Sequence, residues 1–250
     1  MRTVIRLVWF AGAIMISPAH AHDASSIAAA WTYDPWVVTI LYGLAILYLV
    51  GTLRLGLRSA SRRGVRSGRR AAFWSGWTAL AVVLISPLHW AGERLFTAHM
   101  VEHAVIVAVA TPLMACARPI GPLLWGLPRS GRLRIAWAIR HPVMGRIWAV
   151  TSSPLVATAV HGATLWLWHL PAAYDLAVTS PPVHRLQHVS FAVTGLVFWW
   201  ALLCRGREGQ AVPCLFASFM HTGLLGLIIT IAGHPLYPQQ TALANEFGLT

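Results

Sequence analysis

Six long apolar runs separated by arginine-rich loops dominate this chain. The runs extend over Trp36 to Leu53, Ala71 to Leu88, His99 to Ala117, Ile147 to Trp168, His184 to Leu203 and Ala211 to Ala232. Each run is close in length to the about 20 residues that a helix needs to cross a bilayer. Only 10% of the residues are charged, against about 25% in soluble domains. Because the runs lack the alternation of barrel strands, we predict an all-α membrane protein with six transmembrane helices.

The first 21 residues have the pattern of a secretory signal peptide. Arg2 and Arg6 precede an apolar core from Leu7 to Ile16, and Ala19-His20-Ala21 is a small-x-small cleavage site. Cleavage would leave residues 22 to 250 as a single polytopic membrane domain with a periplasmic amino terminus. An uncleaved anchor is the alternative, and it gives the same topology.

The distribution of arginine predicts the orientation. Fifteen of the 19 basic residues lie in the loops after the first, third and fifth runs, whereas only Arg94 and Arg185 lie in the loops on the other side. The positive-inside rule places the arginine-rich loops in the cytoplasm of a bacterial inner-membrane protein. The net charge of +12 is thereby explained by topology, and no aromatic-rich soluble surface surrounds the arginines. We therefore expect the bilayer, and not a nucleic acid, to be the partner of these residues.

Histidines concentrate at the predicted periplasmic ends of the runs. Two pairs, His99 with His103 and His184 with His188, have the i, i+4 spacing that places both imidazoles on one helix face. A helix offers two ligands to one metal with this spacing. His161 lies deeper, and His221 lies roughly 15 Å into the sixth run at 1.5 Å per residue. We predict a periplasmic-facing cluster whose metal ligands are His99, His103, His184 and His188, supported by His161, His169 and His221.

Several metals and functions suit such a set. Four imidazoles could bind copper or zinc, or in paired axial positions a haem iron. The alternative at each position is a histidine that only caps a helix or donates a hydrogen bond. His99-x-x-Glu102-His103 also matches an inverted zinc-protease pattern. That pattern lacks its downstream carboxylate ligand here, and Gln187 stands where the second pair would need a base, so Glu102 is better suited to orient an imidazole.

Three groups of segments carry a family resemblance. They are Phe96-Thr-Ala-His-Met-Val-Glu-His103 with Thr111-Pro-Leu-Met and Arg118-Pro, then Leu167-Trp-His-Leu-Pro171 with Tyr174-Asp175, His184-x-x-x-His188 and Gly195-Leu-Val-Phe-Trp-Trp200, and finally Pro235-Leu-Tyr237. In the same order, from about Trp31 to the end, they resemble the CtaG-type cytochrome c oxidase assembly factors of bacterial inner membranes.

The resemblance implies a non-enzymatic helper needed to form an active haem-copper oxidase, and it implies a role in copper delivery. Its expected partners are cytochrome c oxidase subunits and a periplasmic copper chaperone. A haem b-binding redox protein and an intramembrane zinc metalloprotease remain as alternatives. Proteins of this family usually continue past Gly248-Leu-Thr250 into a further helix, so we expect either a lost seventh span or a truncated sequence.

Overall fold

The structure is a computed structural model that describes residues 30 to 58, 64 to 205 and 208 to 246. The signal peptide predicted for residues 1 to 21 lies outside these residues. Within the described ranges the chain forms helices and no strand, which confirms the all-α prediction.

The described helices begin and end as follows. They are α1 Pro35–Arg58, α2 Ser67–Ile85, α3 Pro87–Gly92, α4 Phe96–Ala117, α5 Ile120–Gly126, α6 Arg129–Arg140, α7 Pro142–Thr151, α8 Pro154–Trp168, α9 Pro171–Thr179, α10 Pro181–Arg205, α11 Glu208–Ile231 and α12 Pro238–Glu246. Proline is the first residue of α1, α3, α7, α8, α9, α10 and α12, where its missing N–H costs no hydrogen bond and its fixed φ suits the first turn.

Four of these helices are long and apolar enough to cross a membrane, namely α1, α4, α10 and α11. The chain is thus a multi-pass membrane protein. Helices α7 and α8 would add a fifth crossing as a pair bent by 72°. Helix α2 begins with Arg69 and Arg70 in its first turns and does not have the same apolar character. The total of six spans stays a prediction.

The fourth predicted run, Ile147 to Trp168, is not one continuous helix. It breaks between α7 and α8, where Ser153 is extended with φ −74° and ψ 140°. The reason is Pro154, which cannot donate a backbone hydrogen bond and disfavours helical geometry in the residue before it. The run predicted as the fourth transmembrane helix thus consists of two helices.

The helices define two ends of the bundle. At one end Thr32, just before α1, donates its N–H to the Ile85 carbonyl at the end of α2, 2.9 Å away. At the other end Arg54 near the end of α1 donates to the last carbonyls of α5 at 2.9 to 3.0 Å. We call the first the histidine end, where α4 and α10 begin and α8 stops, and the second the arginine end.

Helices α4 and α10 run in the same direction through the centre of the bundle. Ile106 of α4, Phe191 of α10 and Leu165 of α8 share one buried apolar cluster. Helix α4 contains a π-helical turn at Ile106–Ala110. The Val107 carbonyl there accepts hydrogen bonds from Trp199 Nε1 and Thr111 Oγ1, each at 2.8 Å. Because these donors satisfy it, the irregular turn can be buried and can join α4 to α10.

Candidate metal site

The two histidine pairs lie together at the histidine end, because α4 and α10 are parallel neighbours and carry their pairs in their first turns. The ring centroids are 4.3 Å apart within the His99–His103 pair and 4.4 Å apart within the His184–His188 pair. Between the helices, His99 lies 5.3 Å from His184 and His103 lies 5.3 Å from His188. The four residues that sequence spacing selected as principal ligands thus form one cluster.

Six of the eight ring nitrogens of this cluster are buried and have no hydrogen-bond partner among the described residues. They are both nitrogens of His99 and His103 and the Nε2 atoms of His184 and His188. The His99 and His103 residues are 1% and 5% exposed. A buried polar atom without a partner costs about 1–3 kcal/mol, so native proteins supply one. Several converging imidazole nitrogens without partners fit a bound metal ion, which would accept their lone pairs.

Glu102 connects this cluster to a further histidine, His89 on α3. The carboxylate is fully buried, and its Oε1 accepts a hydrogen bond from His89 Nδ1 at 3.0 Å. Burial disfavours the charged imidazole, but the hydrogen bond and charge of Glu102 together raise the pKa of His89 above its ordinary value. The bond also leaves His89 Nε2 directed away from Glu102. Glu102 therefore orients an imidazole, as its position in the sequence suggested.

Two groups of possible metal ligands share His184. One consists of His99, Glu102 and His184, and the other of His89, Glu93 and His184. Within each group the ligand atoms all lie within 4.8 Å of one another. The first group is deep in the bundle, whereas the Glu93 side chain of the second is 45% exposed.

His169 lies at the edge of the cluster. Its ring centroid is 6.2 Å from that of His103, and its Nε2 lies 3.4 Å from the sulfur of Met100. Its Nδ1 is 2.7 Å from the Leu165 carbonyl, which fixes the ring orientation. His169 is thus placed to support the cluster at its border.

His161 and His221 lie apart from the cluster, farther toward the arginine end. His161 Nδ1 is 3.0 Å from Thr194 Oγ1, and its ring stacks on Phe198. His221 sits beside Gly162, where an added Cβ would approach its Nε2 to 3.1 Å. In the described part of the chain, no ring contact links either histidine to the four principal ones. The seven predicted ligands therefore divide between two depths of the bundle.

Sequence reasoning gave no role to His89 and Glu93. His89 and Glu93 are four positions apart at the end of the six-residue helix α3, but they are one histidine and one carboxylate and not a second histidine pair. This spacing and their position at the same predicted membrane end as the two pairs were the signals in the sequence. Their contact with His184 arises from tertiary packing, which brings the end of α3 beside the start of α10.

Helices α9 and α12 cover the site from outside. Tyr174 donates a hydrogen bond to Gln240 Oε1, and Gln240 Nε2 donates to the Gly92 carbonyl at 3.0 Å. Tyr237 donates to the His169 carbonyl, also at 3.0 Å. Burial raises the pKa of Tyr174, and burial with the charge of Asp175 raises the pKa of Tyr237 to about 12. Both phenols therefore remain neutral donors near neutral pH.

A cavity of about 530 Å³ lies beside the cluster, between α1, α2 and α10. Most of its wall is apolar and includes Trp36, Leu44, Leu80, Leu84 and Val193. Its polar end contains the two carboxylates Asp34 and Glu93 and the imidazoles of His89, His99, His184 and His188. Asp34 Oδ2 lies 2.6 Å from Arg185 Nε, which ties the start of α1 to α10.

The chain is similar to longer mycobacterial proteins. It is 24% identical over 208 residues to the uncharacterized proteins Mb0105 of Mycobacterium bovis and MT0111 of Mycobacterium tuberculosis, which is 80% of this chain and 29% of each relative. It is 23% identical over 227 residues to the uncharacterized protein ML1998 of Mycobacterium leprae, 87% of this chain and 33% of that protein. The chain thus spans about a third of the length of these relatives.

No solved structure matches the chain. The family comparison is decisive, because it covers residues 46–249 and thus includes the whole histidine cluster. On that match, the chain belongs to the cytochrome c oxidase caa3 assembly factor (Caa3_CtaG) family.

Proposed function

We propose that this protein carries copper on the periplasmic side of the bacterial inner membrane and assists its delivery to a maturing haem-copper oxidase. Copper is here a cargo and not a resident cofactor, and the protein is not an enzyme. The observation that carries the proposal is the set of buried imidazole nitrogens without hydrogen-bond partners on His99, His103, His184 and His188. Membership of an oxidase assembly family supports a cytochrome c oxidase as the recipient of the copper.

The distribution of charge supports the orientation. Arg54 and Arg58 end α1, and Arg129 and Arg132 open α6, all near the arginine end. Arg58 and Arg132 both lie over the Trp125 ring, at 5.3 and 4.1 Å from its centroid. A compact arginine-rich end is the one that the positive-inside rule keeps in the cytoplasm. The histidine end and the mature amino terminus would then face the periplasm.

The imidazole ligands suit copper as the transported ion. Neutral imidazole is a good ligand for copper, which also binds more tightly than neighbouring divalent metals of the same row. Burial favours neutral imidazoles, so copper binding need not first displace protons. His169 at the border of the cluster would support these ligands. His161 and His221 would offer a deeper position, which we keep as part of the proposal.

A strain without the protein provides the test of function. We expect it to make the oxidase polypeptides but to have low oxidase activity, partly restored by added copper. The physical reason is that excess copper can occupy the oxidase slowly without a carrier. Normal oxidase activity in copper-limited medium would contradict an assembly role.

The purified protein provides the test of cargo. We expect elemental analysis to find copper, and we expect the absorption spectrum to lack a Soret band. A Soret band would favour the haem b protein instead, and zinc without copper would favour the metalloprotease. A donor such as a periplasmic copper chaperone would be identified by copper transfer to the metal-free protein.

A further inference from the structure

His89, Glu93 and His184 form a ligand group that we call the outer group. It is more accessible to solvent than the inner cluster of His99, His103, His184 and His188. His89 and Glu93 stand one helical turn apart on α3, with His89 Nε2 3.9 Å from Glu93 Oε1. The His89 ring stacks against that of His184 at 5.5 Å between centroids. Glu93 is 45% exposed, whereas the inner residues His99, Glu102 and His103 are buried. An ion that arrives from water can therefore reach the outer group first.

The hydrogen bond between Glu102 and His89 prepares the outer group for a metal. With His89 Nδ1 donating to the Glu102 carboxylate, the neutral form of His89 has its lone pair on Nε2, which lies 3.9 Å from Glu93 Oε1. A carboxylate behind a ligating imidazole is a common arrangement in metal sites, where it fixes the tautomer and makes the ligand more basic. Glu102 thus contacts the outer group through His89 and is itself a member of the deeper group with His99 and His184.

His184 is the residue that both groups contain. It contributes a ligand atom within 4.8 Å of the others in each group. It also lines the cavity together with His89 and Glu93, whereas His103 does not. An ion could therefore move from the outer to the inner ligands while His184 remains close to it.

We propose that His89, Glu93 and His184 form an outer loading site for Cu²⁺, from which the ion passes to the inner histidines with His184 common to both positions. Two imidazoles and one carboxylate form a mixed nitrogen and oxygen set, which suits Cu²⁺. This inference rests on the proposed copper function and adds the route by which copper enters.

The test is the rate at which the full-length, metal-free protein in detergent takes up Cu²⁺. At successive times a short exposure to EDTA removes accessible copper, and elemental analysis counts the copper that resists it. We expect Glu93→Gln to slow the gain of EDTA-resistant copper by about tenfold or more. Removal of a group that supports a metal site usually lowers metal affinity by at least this factor.

Asp34→Asn is the matched control. Asp34 lines the same cavity, and both carboxylates pair with an arginine, Asp34 with Arg185 and Glu93 with Arg94. Both substitutions remove one negative charge from the same wall. We expect Asp34→Asn to load at nearly the wild-type rate, because Asp34 belongs to neither ligand group. Equal slowing by both would show that the carboxylates only attract the cation, and the outer site would be rejected.

A second variant isolates the outer site. With His103→Ala the inner cluster loses a ligand, and we expect the chain to keep an EDTA-labile Cu²⁺ whose electron paramagnetic resonance spectrum shows nitrogen ligands. Adding Glu93→Gln should remove that signal, and a signal that persists would overturn the proposal. If the wild-type protein gains no EDTA-resistant copper, the copper function itself fails. If the wild type and Glu93→Gln load equally fast, only the outer site fails.

Discussion

At the scale of single residues, imidazole nitrogens without partners distinguish the candidate metal site from a buried histidine such as His161. His161 is 2% exposed, but its Nδ1 lies 3.0 Å from the Thr194 hydroxyl. His103 is 5% exposed, and neither of its nitrogens has a partner in the described structure. Burial alone is therefore not the signature of a ligand. The signature is burial combined with donors and acceptors that face one another.

The first prediction concerns cooperation between the two helices. We expect His103→Ala to lose most of the EDTA-resistant copper and His188→Ala to do the same, with little further loss in the double variant. The rings are 5.3 Å apart, and ligands of one ion are not independent, so their effects should be strongly non-additive. Elemental analysis of the purified variants measures this.

His234→Ala is the control for this prediction, because His234 is exposed and lies after α11 at the histidine end. It should keep the wild-type copper content. If His103→Ala and His188→Ala each keep full copper, the cluster is structural and the ligand assignment is wrong. If the double variant loses the sum of two partial losses, the two pairs bind separate ions.

At the scale of helices, close packing depends on glycines at particular contacts. Gly51 of α1 lies against the Pro122 carbonyl of α5, and Gly126 of α5 lies against the Leu47 carbonyl of α1. A Cβ at either position would overlap backbone that cannot move aside. Small residues serve the same purpose in other membrane bundles, where they allow two helix backbones to approach closely. This contact holds the half of α1 nearer the arginine end against α5.

The second prediction follows from this contact. We expect Gly126→Ala to destabilise the protein by about 1–3 kcal/mol, because the added methyl group forces α1 and α5 apart. Gly121→Ala makes the same change in the same helix, with no atom within 4 Å of the new Cβ. It should be neutral or stabilising, because alanine favours a helix more than glycine does.

Thermal unfolding of both variants in detergent provides the comparison. Opposite signs for the two variants would support the contact between α1 and α5. A melting temperature lowered equally by both would mean that α5 tolerates no substitution at all, and the specific contact would lose its support.

At the scale of the whole molecule, one end of the bundle is rich in histidine and the opposite end is rich in arginine. Helices α4 and α10 both begin with a histidine pair, and they end near Arg118 and at Arg205 respectively. The candidate metal site and the basic surface are therefore separated by the length of a helix. A carrier that loads on one side of a membrane needs such an asymmetry.

The third prediction is the orientation itself. A reporter fused after Arg63 should be cytoplasmic, and one fused after Ser180 should be periplasmic, because arginine-rich loops resist translocation. Alkaline phosphatase, which is active only in the periplasm, and a fluorescent protein, which is active in the cytoplasm, give complementary measurements. The reverse pattern would place the histidines in the cytoplasm and contradict the proposed route of copper.

The sequence by itself determined the class of the molecule and indicated the four histidines that form the buried cluster. Apolar runs of about 20 residues predict membrane helices because the bilayer requires that length, and four of them are confirmed as long apolar helices. The i, i+4 spacing predicted that each histidine pair shares a helix face, and the arginines predicted which ends of the helices lie together. These properties depend on local pattern, which a sequence displays directly.

Only the tertiary structure decided which residues from different elements meet. The pairing of α4 with α10, the bend before Pro154, and the separation of His161 and His221 from the cluster all depend on how helices pack. The contacts of His89 and Glu93 with His184 join residues from α3 and α10, about 90 positions apart. Helical periodicity shows which residues share a face. It does not show which face of another helix they will contact, because that depends on side-chain packing along the whole chain.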